Sequence, residues 1–277
     1  MAQTGTNVKV SVSTPFRSLG KPSRFPLSAF GVGDAAKERY VRALVAEIEA
    51  FDDGDAAGMA VDEVEFAHGP ASGLSTAQLM RVVRALHKKF ALVDGARIHA
   101  SEVPGGLTAD FAGFCKSVGM EYVEVEMLTV DVPALRAAGL PPSRDDTVAC
   151  FQVVYFTGKP DLGILLDAGM EPSCQAFRKS VMEALGRSPL FVRAVGMSGE
   201  QADSLAELCG RRGMVPVGEG VFGRPGFAGV PLRHENQVGF GLNALTQLDG
   251  IRFQNTSDLA LYCAHSTEFP LIARQVG

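Results

Sequence analysis

The feature that most narrows the folds open to this chain is a regular alternation of strand-like and helix-like stretches. "VKVSVS" precedes an amphipathic segment over 34–51, where Asp34 is the expected N-cap and Val41, Leu44, Val45 and Ile48 share one face. "VDEVEFAHG" reads as strand and turn, and "STAQLMRVVRALHKKFAL" as a helix capped by Ser75 with Leu79, Val82, Val83 and Leu86 in its stripe. The same alternation runs on through "ARIHASE", the Thr108-capped "TADFAGFCKSVG", "EYVEVEML", "DVPALRAAG", a helix over 145–157, "LGILLDA", "SCQAFRKSVMEALG", "LFVRAVGM" and "GEQADSLAELCGRRG". Because a crossover helix returns the chain to the end of the sheet it left, such alternation implies parallel strands covered by helices. About six units predict an α/β fold, an open partial (β/α)6 barrel over residues 1–197. From Pro216 the pattern loosens into a glycine-rich loop, "VGEGVFGRPGFAGVPLRHENQVGFG", before a last short helix over 256–264. Residues 198–277 are therefore expected to pack on the barrel as an extension, not as a free domain.

Composition removes several classes of function. At 277 residues and 46% hydrophobic, the chain can build one large core. A net charge of −5 gives no general affinity for nucleic acid. No apolar run reaches membrane-spanning length, and the first 25 residues lack a signal-peptide core, so no membrane partner and a cytoplasmic location are expected. The five cysteines, Cys115, Cys150, Cys174, Cys209 and Cys263, are odd in number and scattered, with no Cys-x-x-Cys pair. That pattern argues against a disulfide framework and against a zinc or iron–sulfur site, and each cysteine reads as a small buried hydrophobe.

Three groups of residues carry chemistry. Along the strand "EYVEVEML", Glu124 and Glu126 share a face, about 7 Å apart at Cα, while Val123, Val125 and Met127 form the apolar face expected to meet helices. The glutamates should point into the barrel. One strand back, His99 and Ser101 share a face, and His99 would neighbour Glu124. Two carboxylates and an imidazole in a barrel make a general acid–base set, Glu124, Glu126 and His99, since crowding separates their pKa values. The same groups suit an internal salt-bridge network with Arg97, Arg193 or a basic loop; they could also hold a divalent metal, although no recognised ligand spacing supports one. Asp167 ends a strand, where barrels present ligand-binding groups. Finally, "TPFRSLGKPSRFPLSAF" holds Arg17, Lys21 and Arg24 without an acidic residue. Converging side chains of this kind suit a carboxylate or phosphate, and a solvated surface is the alternative. His234, Gly239 and Gly241 read as structural, and His87 and His265 as surface or core histidines.

Beyond these patterns, "VDEVEFAHGPASGLSTAQLMRVVRAL", "YVEVEMLTVDVPALRAAGLPPSRDD", "VFGRPG", "RHEN" and "VGFGLNALTQLDGIRFQNTSDLALY" resemble, in order and spacing, the HemN-type radical S-adenosylmethionine (SAM) proteins. These are the oxygen-independent coproporphyrinogen dehydrogenases and their heme-chaperone relatives. In that family the loop after a Pro-Phe pair carries Cys-x-x-x-Cys-x-x-Cys, which holds a [4Fe–4S] cluster. Here Pro15 and Phe16 are followed by Arg17, Lys21 and Arg24 at the three positions. Neither arginine nor lysine ligates iron as a cysteinate does, so the resemblance implies no cluster and no radical chemistry. The family's Gly-Gly-Gly-Thr-Pro loop has become Ala67-His68-Gly69-Pro70-Ala71, and its acidic residue on the third strand falls on Ser101. His68, Gly69 and Ser101 are thus the positions at which SAM would be met, on altered contacts. The chain also stops short of the family's usual C-terminal domain.

Two functions then compete. One is a cluster-free enzyme doing polar chemistry on an anionic small molecule, with SAM as electrophile in a transfer or elimination. The other is a non-catalytic relative that binds a tetrapyrrole, a SAM-like ligand or a partner protein. Ionisable residues retained in the cavity favour the first, because a decayed enzyme is expected to fill its cavity with apolar side chains.

Overall fold

The computed structural model describes residues 6–16, 33–141, 144–229 and 235–276. Strand β1 (Thr6–Ser13) leads to helices α1 (Asp34–Ala50) and α2 (Asp53–Ala57), then β2 (Met59–Ala67), α3 (Thr76–Lys89) and β3 (Leu92–Glu102). Next come α4 (Ala109–Ser117), β4 (Tyr122–Leu128), α5 (Val132–Ala137), α6 (Arg144–Thr157) and β5 (Asp161–Asp167). The alternation ends with α7 (Cys174–Leu185), β6 (Phe191–Val195) and α8 (Gly199–Arg211). The remaining elements are β7 (Val215–Gly218), β8 (Val221–Gly223), β9 (Gln237–Phe240), β10 (Leu245–Leu248), β11 (Ile251–Asn255), α9 (Leu259–His265), α10 (Phe269–Ile272) and β12 (Ala273–Gln275).

Strands β1 to β6 pair in chain order, each parallel to the next. The sheet is not closed. Beyond β6 lie β8 and β7, both antiparallel; beyond β1 lie β9, parallel to it, and then β10, β11 and β12, all antiparallel. Residues 215–276, where the sequence pattern predicts loop and one short helix, therefore hold six short strands among the described residues. They escape a sequence reading because each is three to five residues long. Moreover, β9 finds its parallel partner in β1, more than two hundred residues away.

Helix starts follow side-chain capping. The Ser75 hydroxyl accepts from Gln78 N at 3.3 Å and the Gln78 side chain returns to Ser75 N at 3.0 Å, closing a capping box on α3. On α4 the Thr108 hydroxyl caps one way only, accepting from Phe111 N. Asp34 is not a cap: Gly33 holds that position, and Asp34 is the first helical residue. The stripe of α3 is buried as its spacing requires, and each such aliphatic side chain contributes about 2 kcal/mol. The helices cover one side of the sheet, against Val8, Val10, Val12, Val64, Phe66, Val123, Val125 and Ile164. Cys115, Cys150 and Cys209 are buried and Cys174 and Cys263 half-buried; burial pushes the Cys115 thiol up to about 12, which suits an inert filler. Among the described residues, no helix is long and apolar enough to cross a membrane.

Candidate functional site

The opposite face of the same strands is polar. Strand alternation brings Lys9 on β1, Glu63 and Glu65 on β2, Arg97, His99 and Ser101 on β3, Glu124 and Glu126 on β4 and Arg193 on β6 to the barrel interior. The register sets Lys9 beside Glu63 and Glu63 beside Arg97. Glu65 lies beside His99, and Ser101 beside Glu124. Both glutamates of β4 are buried there, on the side away from Val123, Val125 and Met127.

The charges pair with one another. Glu63 receives Lys9 Nζ at 3.2 Å, Arg97 Nη2 at 2.9 Å and the His99 ring at 3.1 Å. Lys9 also reaches Glu65 at 2.7 Å. Burial alone would lower the Lys9 pKa, but Glu65 and Glu63 outweigh it and hold the ammonium above its ordinary value. Burial would likewise raise Glu65, yet Lys9 and then His99 hold its carboxyl low. Glu124 is gripped by the fork of Arg193, whose Nε stands 2.6 Å from Oε1 while Nη2 meets Oε2. On β5, Gly163 lies beside both Glu124 and Phe191 and makes room for the Phe191 ring, with which a Cβ there would collide.

His99 is therefore not the partner of Glu124. It stands opposite Tyr122, on which it stacks at 4.8 Å, and its ring nitrogen meets Glu63. Period-2 spacing assigns a face, whereas the partner depends on the register and on the next strand. Lys9, Glu63 and Glu65 join the same face by the alternation in "VKVSVS" and "DEVEFA", the signal that also places Glu124 and Glu126.

One end of this interior is closed. Phe191 and Phe227 stack at 5.0 Å, and Tyr122 meets both edge-on. Arg97 Nη1 also donates to Gly229 O at 2.9 Å, tying the segment after β8 across the strands. The other end, at the C-terminal ends of the strands, is where barrels present reactive groups. There Thr14 Oγ1 donates to Ala67 O and Gly69 O, at 3.2 and 3.0 Å. A Cβ on Gly69 would collide with Thr14 O, so this glycine is required by the β1 chain itself. His68 follows β2 with φ 63°. Asp167 Oδ1 accepts from Gly169 N at 3.0 Å and caps the turn after β5. Glu102, on the other face of β3, accepts from Ser72 N at 2.9 Å and Val103 N at 2.8 Å, and burial pushes it up to about 7. Arg17, Lys21, Arg24 and His234 lie outside the described residues. Among the described residues, no group of three or more His, Cys, Asp or Glu could hold a metal ion.

No protein-family model and no curated protein matches the chain. Solved structures do match in fold. Coproporphyrinogen III oxidase (HemN) from Escherichia coli, described as a radical SAM enzyme, superposes with a TM-score of 0.77 at 16% identity, over 98% of this chain and 71% of that one. The native anSMEcpe with bound AdoMet and a Cp18Cys peptide gives 0.50 at 9% identity, over 73% of this chain and 59% of that one. The chain has the radical SAM fold, in its HemN-like form.

Proposed function

We propose that this protein is a cluster-free member of that fold which binds a small molecule bearing an anionic group in the barrel and performs polar chemistry on it, in the cytoplasm. SAM is the first candidate, as electrophile for a transferase or lyase reaction. The observation that carries the reading is the interior face of the sheet, where β1 to β4 and β6 all present ionisable side chains. A cavity released from function would exchange such groups for apolar ones, since buried charges are costly to maintain.

The donors available do not fit a [4Fe–4S] cluster. The three positions that the resemblance gives to cluster thiolates are Arg17, Lys21 and Arg24, and all five cysteines lie on α4, α6, α7, α8 and α9. No step is drawn through a cluster. SAM fits better: Gly69, Ser101 and Glu126 would line it, and Arg17, Lys21 and Arg24 would meet its carboxylate. When bound, SAM supplies an electrophilic carbon on a sulfonium. Glu124 and His99 are tied to Arg193 and Glu63, so their part is to hold charge in place. That commitment also supports the second reading, a non-catalytic binder of a SAM-like ligand or tetrapyrrole.

Calorimetric titration with SAM, its demethylated product and a porphyrinogen tests the proposal. Saturable heat with SAM is expected. Heat with the porphyrinogen alone would move the protein to the second reading, and heat with none of the three would overturn both. After anaerobic reconstitution with iron and sulfide the protein should stay colourless; stoichiometric iron with a visible absorbance shoulder would refute the cluster-free assignment.

A further inference from the structure

A separate cavity lies on the helix-covered side of the sheet, where Val238 and Phe240 of β9 join the main core. It opens between the end of α1, helix α2, strands β9 to β11 and the start of α10, and measures about 330 Å³. Phe51, Phe240, Leu248, Phe253 and Phe269 line it. Phe51 meets Phe240 edge-on at 5.7 Å, and Phe253 meets Phe269 edge-on at 5.3 Å. Roughly 150 Å³ suffices for a benzene ring, so this space takes a ring with a short chain. Water against such walls finds few partners, and an apolar body that displaces it is favoured.

The rim specifies the charge. Asp52 and Asp55, both exposed, stand at the edge, and no lysine, arginine or histidine lines the cavity. One Asp52 oxygen caps α2, accepting from Gly54 N and Asp55 N at 2.8 and 3.0 Å. Lys89 is tied to Asp53 at 2.5 Å and to Phe51 O at 2.7 Å. Among the described residues, the Asp55 carboxylate has no hydrogen bond or ion pair. Glu47 also lines the cavity, but Asn255, Tyr262 and Gly241 occupy its two oxygens. An apolar enclosure edged by a free carboxylate selects an apolar body that ends in a cation. Aromatic faces accept the cation, and the carboxylates attract it while repelling an anion.

We propose that this cavity binds a small amine with an aromatic or aliphatic body, its ammonium group directed at Asp55. The site is distinct from the barrel interior and does not rest on the function proposed for it.

The test uses probes that share a ring and chain and differ in charge: phenethylamine, 2-phenylethanol and 3-phenylpropionate. Titrated into the 15N-labelled full chain at neutral pH, phenethylamine should saturably shift the amides of Gly239 and Thr246, which line the cavity. It should bind about fivefold more tightly than 2-phenylethanol, the upper scale of an exposed ion pair, and 3-phenylpropionate should bind more weakly than either. Asp55→Asn should remove most of the preference for the amine and leave the alcohol unchanged. Ala50 is exposed at the end of α1 and lines the cavity, so Ala50→Phe should fill it, abolish the shifts and keep the unfolding midpoint. Equal affinity for the probes, or a preference for the amine unchanged in Asp55→Asn, would overturn the assignment of the ligand. No saturable shift with any probe, or shifts that persist in Ala50→Phe, would overturn the cavity as a binding site.

Discussion

Two sets of carboxylates in this molecule differ in what neutralises them. In the barrel interior, Glu63, Glu65 and Glu124 each meet a cation: Lys9, Arg97 or Arg193. At the junction of α1 with the C-terminal strands, Glu47 meets only neutral donors. It accepts from Tyr262 Oη at 2.5 Å, Asn255 Nδ2 at 2.7 Å and Gly241 N at 2.8 Å. Burial pushes Glu47 up to about 7, and its three donors pull it back only in part. Glu102 behaves alike. Neutral dipoles can satisfy a carboxylate without replacing the cation that keeps it ionised. Lys9 and Glu65 therefore hold their charge across the physiological range, while Glu47 and Glu102 change theirs within it.

The comparison breaks hardest at Arg193. Arg193→Met leaves Glu124 buried without its cation and should cost about 3–5 kcal/mol in denaturant unfolding. Adding Glu124→Gln should restore much of that loss, and a double mutant no better than Arg193→Met would show that the pair is not coupled. The next effect concerns pH. A carboxyl raised in the folded state stabilises below its ordinary value near 4.5, and that contribution is lost as pH rises through about 7. Glu47 should thus make stability fall by roughly 3 kcal/mol across that window, at 1.36 kcal/mol per pKa unit. Glu65 and Lys9, shifted low and high, lose their contributions only in acid and in strong base, outside the window. Glu47→Gln should remove about half of the slope, with Glu102 supplying the rest; an unchanged slope would place the titration elsewhere. The smallest effect is expected at the exposed Lys88–Glu49 pair, 3.1 Å apart, where Lys88→Ala should change stability by less than about 0.5 kcal/mol.

Much of the parallel core was legible in the sequence because local signals specify it. The capping box at Ser75 and the stripe of α3 depend on neighbours three and four residues away. The inward face of Glu124 and Glu126 follows from alternation along a single strand. The partner of His99 did not follow, because Glu63 belongs to another strand and the register joining them is set by the whole sheet. The C-terminal strands were illegible for the same reason in stronger form: β9 has four residues, and its parallel partner β1 lies at the other end of the chain. His68 stands out as a departure from a glycine loop, but its left-handed backbone cannot be read from composition or period.

The strand order carries a further consequence, for behaviour at high concentration. Both flanks of the long parallel run are occupied, so the outermost strands are β12 and β7. β12 has three residues, and β7 has four, including Pro216, which lacks an amide hydrogen. Short or proline-bearing margins offer a second copy little backbone on which to extend the sheet. The barrel can therefore stay open without presenting a sticky rim, which is a safeguard against self-association and fibre growth.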